Sequence, residues 1–127
     1  MPHQHGDKKI GKRVAIVDDE EDLALVISML VRHLGYEIEC IAHDGDEIVR
    51  AVTDGKHPDV IIMDYRMPVM NGLQAAEMVL KELPDVRIII VSADDSVRQA
   101  ALSAGLFFLP KPFSSAALGR VLESLVG

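Results

Sequence analysis

The 127-residue chain has no tryptophan, three phenylalanines, two tyrosines and one cysteine. With Cys40 alone, no internal disulfide can close and no cysteine-based metal cage can be built. Its place in the apolar run 38–42 predicts a buried, inert thiol. Positive charge is also scarce: 13 Lys and Arg face 20 Asp and Glu, for a net charge of −7. That balance argues against nonspecific attraction to nucleic acid or to an anionic membrane, because both need an excess of cations to displace counterions. No run approaches the roughly 18 unbroken apolar residues of a membrane-spanning helix. The start, MPHQHGDKK, lacks the apolar core of a signal peptide. A cytoplasmic location is the expectation. His3 and His5 have no further ligand nearby, so they belong to a flexible tail, residues 1–12, rather than to a metal site. No glycine-rich phosphate loop follows the first apolar run, which disfavours nucleotide binding of that kind.

What the chain does have is alternation. Hydrophobic residues make up 49% and charged residues 26%, an ordinary balance for one folded domain. Short apolar runs at 13–17, 36–42, 60–63, 87–91 and 106–109 read as strands. The first, third and fourth are nearly all Val, Ile and Ala, as central strands covered on both faces are. The second alternates with Glu37 and Glu39 and reads as an edge. Between them, Leu23, Val26, Ile27, Leu30 and Leu34 share one helical face, as do Leu73, Ala76, Leu80 and Leu83, and later Leu118, Val121, Leu122 and Leu125. Ile48 with Val52, and Val97 with Ala101 and Ala104, mark two shorter helices. Gly35 and Gly105 stand at expected C-caps, Pro84 closes the third helix, and Ser114 or Ser115 caps the fifth. Asp44 to Glu47 reads as a helix start with a solvated face. Five strands alternating with five helices predict a doubly wound α/β fold with a parallel sheet. The domain is expected to fill residues 13–127, with no output domain within this sequence.

The apolar runs stop on polar residues: Val17 on Asp18 and Asp19, Met63 on Asp64, Val91 on Ser92, and Leu109 on Pro110 and Lys111. In an open parallel sheet the carboxyl ends of the strands share one rim, where ligands bind. Three carboxylates brought together there repel one another and raise their pKa values unless a cation sits among them. A hard divalent ion with oxygen ligands, magnesium first, answers that need. An ionised aspartate at such a site can serve as nucleophile toward phosphorus without a general base. Charge on the three equatorial oxygens of the transferring group then needs partners: the metal, Lys111, and Ser92 with backbone N–H groups.

The segments VDDEEDL, IIMDYRMPVMNG, IIIVSA and FFLPKPF, in that order, resemble the receiver domain of two-component response regulators, over residues 13–126. The resemblance implies a flavodoxin-like (βα)5 domain with sheet order 2-1-3-4-5. It implies phosphorylation at Asp64, with Asp18, Asp19, Asp64 and the backbone carbonyl of Arg66 holding Mg2+, Lys111 on the phosphate, and Ser92 and Phe108 as switch residues. It also implies a cis bond before Pro112 and remodelling of the surface made by the fourth helix, fifth strand and fifth helix. The donor would be a sensor histidine kinase or a histidine phosphotransfer protein, the target an unknown protein, with a homodimer linked to phosphorylation as a further possibility. The domain would catalyse only its own phosphorylation and dephosphorylation. Phe108 stands where a tyrosine is common, so burial alone would carry that switch. Arg66 and Asp94, each two residues beyond a site residue, form an expected pair that restricts the attacking water. Leu25, Met29 and Arg32, off the core stripe of the first helix, are candidate kinase contacts.

Two rivals differ in class. A magnesium phosphatase of the haloacid dehalogenase type needs an aspartate two residues after the nucleophile, where this chain has Arg66. A phosphate-independent docking or dimerisation module would keep the fold without the chemistry, yet no acid and no lysine of the set is missing.

Overall fold

Val, Ile and Ala dominate three consecutive sheet positions because each of those strands is covered on both sides. The structure is a computed structural model, and it describes residues 12–126. The expected tail, with His3 and His5, lies outside the described residues apart from Lys12. Five parallel strands, β1 (Arg13–Val17), β2 (Glu37–Ala42), β3 (Val60–Asp64), β4 (Arg87–Ser92) and β5 (Phe107–Pro110), lie in the order β2-β1-β3-β4-β5. Helices α1 (Glu21–His33), α2 (Gly45–Thr53), α3 (Gly72–Glu82), α4 (Val97–Ser103) and α5 (Ser115–Val126) alternate with them. The predicted edge and central strands stand where expected.

Successive strand residues point to opposite faces, and the two cores follow that period. Ala15, Val17, Ile61, Met63, Ile88 and Ile90 pack with α2, α3 and α4. Val14, Ile16, Ile62, Ile89, Val91 and Leu109 pack with α1 and α5. A strand apolar on both faces could slip by one residue and still bury its side chains. What forbids the slip is the polar end: it would carry Asp64 or Ser92 into the core, at several kcal/mol, on the order of 2–7, for an unpartnered polar group. The site residues therefore also fix the register, with Asp64 opposite Val91 and Ser92 opposite Pro110. Both belong to their strands, one residue beyond the predicted ends.

The helical stripes are displaced from those read in the sequence. In α1 the buried residues are Ala24, Ile27, Ser28 and Val31, while Leu23, Leu30 and Leu34 flank them and Val26 is 51% exposed. In α3 they are Gly72, Ala75, Ala76 and Val79, flanked by Leu73, Leu80 and Leu83. Small residues face the sheet so that the helix axes approach it, and the leucines close the margins. Leu25 and Met29 are exposed, as expected. Ala104, expected within α4, is its C-cap. Asn71 and Gln74 form a capping box at α3, Asp44 accepts the Glu47 N–H at 2.8 Å to start α2, and Ser114 rather than Ser115 caps α5 through the Ala117 N–H at 3.0 Å. Gly35 and Gly105 follow their helices at φ of 100° and 81°, the left-handed conformation that glycine adopts without strain.

Candidate functional site

The carboxyl ends of β1, β3, β4 and β5 converge, and the polar residues that terminate them meet in one cleft of about 480 Å³. Its walls are Asp19, Glu20, Asp64, Arg66, Ser92, Ala93, Asp94 and Lys111. Asp64 ends β3, buried, and the next N–H, of Tyr65, donates to Val91 O at 2.9 Å, which holds the strand end against β4. Asp18 follows β1, its own N–H bound to Ala42 O at 3.0 Å. One carboxylate oxygen of Asp18 accepts from Glu20 N at 2.9 Å, so this side chain does shape the turn into α1. Asp19 is exposed. The three acids nevertheless each present an oxygen within 4.8 Å of the others.

Lys111 enters from the far strand. Its N–H donates to Ser92 O at 2.9 Å, extending the β4–β5 pairing, and its ammonium donates to Asp64 Oδ1 at 3.0 Å while lying 3.9 Å from Asp18 Oδ2. The Lys111–Pro112 bond is cis. Among the described residues no donor reaches the second Asp64 oxygen. Ser92 is buried, and its Oγ accepts the Asp94 N–H at 3.0 Å, which leaves the hydroxyl proton available to a group in the cleft.

Burial pushes the Asp64 carboxyl above its ordinary pKa; the Lys111 hydrogen bond pulls it back, and Asp18 and Asp19 add smaller upward contributions. Mutual repulsion, the expected cause, is thus secondary to desolvation. Three hard oxygen donors converging within 4.8 Å suit a divalent cation that keeps water in its shell.

Arg66 and Asp94 do approach each other, Nη2 to Oδ2 at 3.7 Å, at the exposed lip of the cleft. Asp94 is more firmly engaged elsewhere: its Oδ1 accepts from Ser96 N at 3.0 Å and Ser96 Oγ at 2.6 Å. The Ser96 hydroxyl, then its N–H, hold the Asp94 carboxyl below its ordinary pKa, ahead of Arg66. Phe108 is half-buried at the margin of the α2-α3-α4 core and Phe107 at that of the opposite core. Cys40 is half-buried rather than buried, and burial raises its thiol pKa, which keeps it protonated and inert.

Three participants carry no sequence signal strong enough to find them. His43 is half-buried, with Nδ1 3.2 Å from Asp18 O. Glu20 and Ala93 line the cleft. A fourth, Gly72, is legible only in part. The Asn-Gly pair announces a tight exit, but the reason for glycine is that a Cβ would stand 2.6 Å from Asp64 O and 3.0 Å from Tyr65 Cα. The loop after Asp64 folds back on its own strand end, and Gly72 N donates to Tyr65 O at 2.8 Å.

The family model described as the response regulator receiver domain matches residues 14–123. The chemotaxis protein CheY of Thermotoga maritima is 35% identical over 119 residues, covering 91% of this chain and 96% of that protein. The transcriptional regulatory protein PdtaR of Mycobacterium tuberculosis is 35% identical over 127 residues, 98% of this chain but 62% of its own length. Among solved structures, the receiver domain of sensor histidine kinase PA1611 from Pseudomonas aeruginosa, with a magnesium ion in its active-site cleft, superimposes with a TM-score of 0.81 at 32% identity, covering 92% of this chain and 98% of that one. Among the described residues no helix is long and apolar enough to cross a membrane.

Proposed function

The chain belongs to the response regulator receiver domain family of two-component signalling, and from that premise we propose that Asp64 accepts a phosphoryl group from a phosphohistidine and that its modification resets a protein-binding surface. The observation that carries the reading is the Asp64–Lys111 contact at 3.0 Å inside a cleft where two further acids converge. An Asp64 oxygen bonds to phosphorus as the P–N bond of the donor breaks, and the electron pair stays on the imidazole nitrogen. Lys111 neutralises one peripheral oxygen, and the Ser92 hydroxyl donates to another. Asp18, Asp19, Asp64 and the Arg66 carbonyl would hold Mg2+, which when bound supplies charge neutralisation for the transferring group. Later, water attacks phosphorus, inorganic phosphate leaves, and the Asp64 carboxylate is regained.

Ser92 both donates to the new phosphate and accepts from Asp94, so its inward movement draws the β4–α4 loop with it. Phe108 then moves toward the vacated space, and the α4-β5-α5 surface changes for an unidentified protein target or a second copy of the chain. The donor is a sensor histidine kinase or a histidine phosphotransfer protein. An excess of negative charge argues against direct contact with nucleic acid by this domain. The phosphatase rival has no support at its acid position, since the Arg66 side chain is 77% exposed and directed to Asp94.

Incubation with acetyl phosphate and magnesium, followed by intact mass and peptide mapping, should place one hydroxylamine-sensitive phosphoryl group on Asp64. Asp64→Asn should abolish it and Lys111→Ala should reduce it severely. Undiminished labelling of Asp64→Asn would overturn the assignment.

A further inference from the structure

Arg98 lies on α4 with its guanidinium carbon 4.7 Å from the centroid of the Phe108 ring on β5. It is not a loose surface side chain. Its Nε and Nη2 both donate to Asp95 Oδ1, at 3.0 and 2.9 Å, and its own N–H donates to Asp95 O at 3.1 Å. The same turn is tied to the cleft: Val97 N donates to Asp94 O at 3.1 Å, and Asp94 N donates to Ser92 Oγ at 3.0 Å. A continuous set of contacts therefore runs from the phosphoacceptor cleft through the first turn of α4 to the aromatic ring. Phe108 has no hydroxyl through which a hydrogen bond could hold it.

Resting on the phosphoacceptor reading above, we propose that Arg98, oriented by Asp95, is a positioning residue that clamps the Phe108 ring in its present half-buried place and so opposes activation. The cation–ring contact exists only while the ring lies under the guanidinium. Movement of the ring toward Ser92 forfeits it, and a contact present in one of two states shifts the equilibrium toward that state. At a half-exposed site such a contact shifts the population roughly two- to fivefold. Arg98 then sets how far a given phosphorylation signal throws the switch, independently of the residues that hold the phosphate.

The test is the affinity of the protein for beryllofluoride with magnesium, a phosphate mimic, measured by titration of amide NMR spectra. Arg98→Ala should bind about two- to fivefold more tightly than the natural chain, with Arg98→Lys between them. In a Phe108→Leu background, whose fold the same spectra verify, Arg98→Ala should have no effect. Unchanged affinity in Arg98→Ala, or equal tightening with and without the Phe108 ring, overturns the clamp. A second readout needs no substitution: the Arg98 Hε resonance, shielded by the ring, should move toward its ordinary position at saturation. The same position in both states also overturns it. A natural chain that fails to bind the mimic overturns the phosphoacceptor reading and the clamp together, whereas normal binding without an Arg98 effect removes the clamp alone.

Discussion

Asp64 and Glu39 are both carboxylates withdrawn from solvent, and their environments push them in opposite directions. Asp64, at the rim, is raised above its ordinary pKa chiefly by burial, with one oxygen held by Lys111 and the other without a donor among the described residues. Glu39 sits on edge strand β2, where the pairing with β1 steps from Val14–Ile38 to Ala15–Cys40. There one oxygen accepts from His57 N at 2.9 Å and the other from Arg13 Nη1 at 3.1 Å. The His57 N–H first, and Arg13 after desolvation is set against it, hold Glu39 below its ordinary pKa. A fully partnered acid braces the fold; a half-partnered acid keeps a lone pair for chemistry.

The largest way to break the contrast is to remove the rim's support. Gly72→Ala drives a methyl into the Asp64 and Tyr65 backbone, which has no rotamer by which to retreat, and should lower stability by about 1–3 kcal/mol in urea denaturation. Gly45→Ala is the control. Its Cβ would meet Met70 Sδ at 2.9 Å and Met70 Cβ and Cγ at 3.2 Å, side-chain atoms that can shift further than a strand-end backbone, and the loss should be smaller. Equal losses would mean that close approach to the Asp64 strand end is not what demands glycine.

Glu39→Gln attacks the other side of the comparison. One amide oxygen cannot replace two carboxylate oxygens, so the loss at neutral pH should be about 1–2 kcal/mol. A carboxyl whose folded pKa is lowered contributes stability that is complete above the unfolded glutamate pKa and is lost as pH falls through the folded value. The gap between Glu39→Gln and the natural chain should therefore close in acid. A gap independent of pH would assign the loss to shape rather than charge.

Asp64→Asn should move stability the other way, by a smaller amount. With the folded pKa raised, ionisation of Asp64 costs stability above that pKa, and the cost vanishes as pH falls below the unfolded value. Without magnesium, Asp64→Asn should melt a few degrees higher at neutral pH, and the gain should shrink toward zero in acid. A lower melting temperature at neutral pH would show that the Lys111 bond outweighs desolvation.

These contrasts also mark what a linear chain discloses. Asp18, Asp19, Asp64, Ser92 and Lys111 were legible because each interrupts an apolar run, and the sheet converts a one-dimensional interruption into a shared rim. The edge position of β2 was legible from Glu37 and Glu39, but not the fate of Glu39, which depends on an irregular step in pairing and on His57 from another loop. The stripes of α1 and α3 are displaced because the face that approaches the sheet mixes small residues with apolar ones, which an apolar count alone does not locate: Ser28 is buried and Val26 is exposed. His43 beside Asp18 and Arg98 over Phe108 involve separations that no periodicity spans. Asp94 does approach Arg66, as its position suggests, while its nearer partner is Ser96.

That last competition supplies the smallest expected effect. If the Arg66–Asp94 pair restricts water at the mouth of the cleft, removing either member should accelerate loss of phosphate from Asp64, by about twofold for so exposed a pair. Asp94→Ala does more than break the pair, because it also frees Ser96 and loosens the turn that enters α4. Arg66→Ala leaves that turn intact. The double variant should therefore match Asp94→Ala, since nothing remains for Arg66 to pair with. Decay of the phosphorylated protein, followed by mass after the donor is removed, decides the matter: fully additive rate changes would dissolve the pair into two independent side chains, leaving the Asp94 carboxylate to its bonds from Ser96.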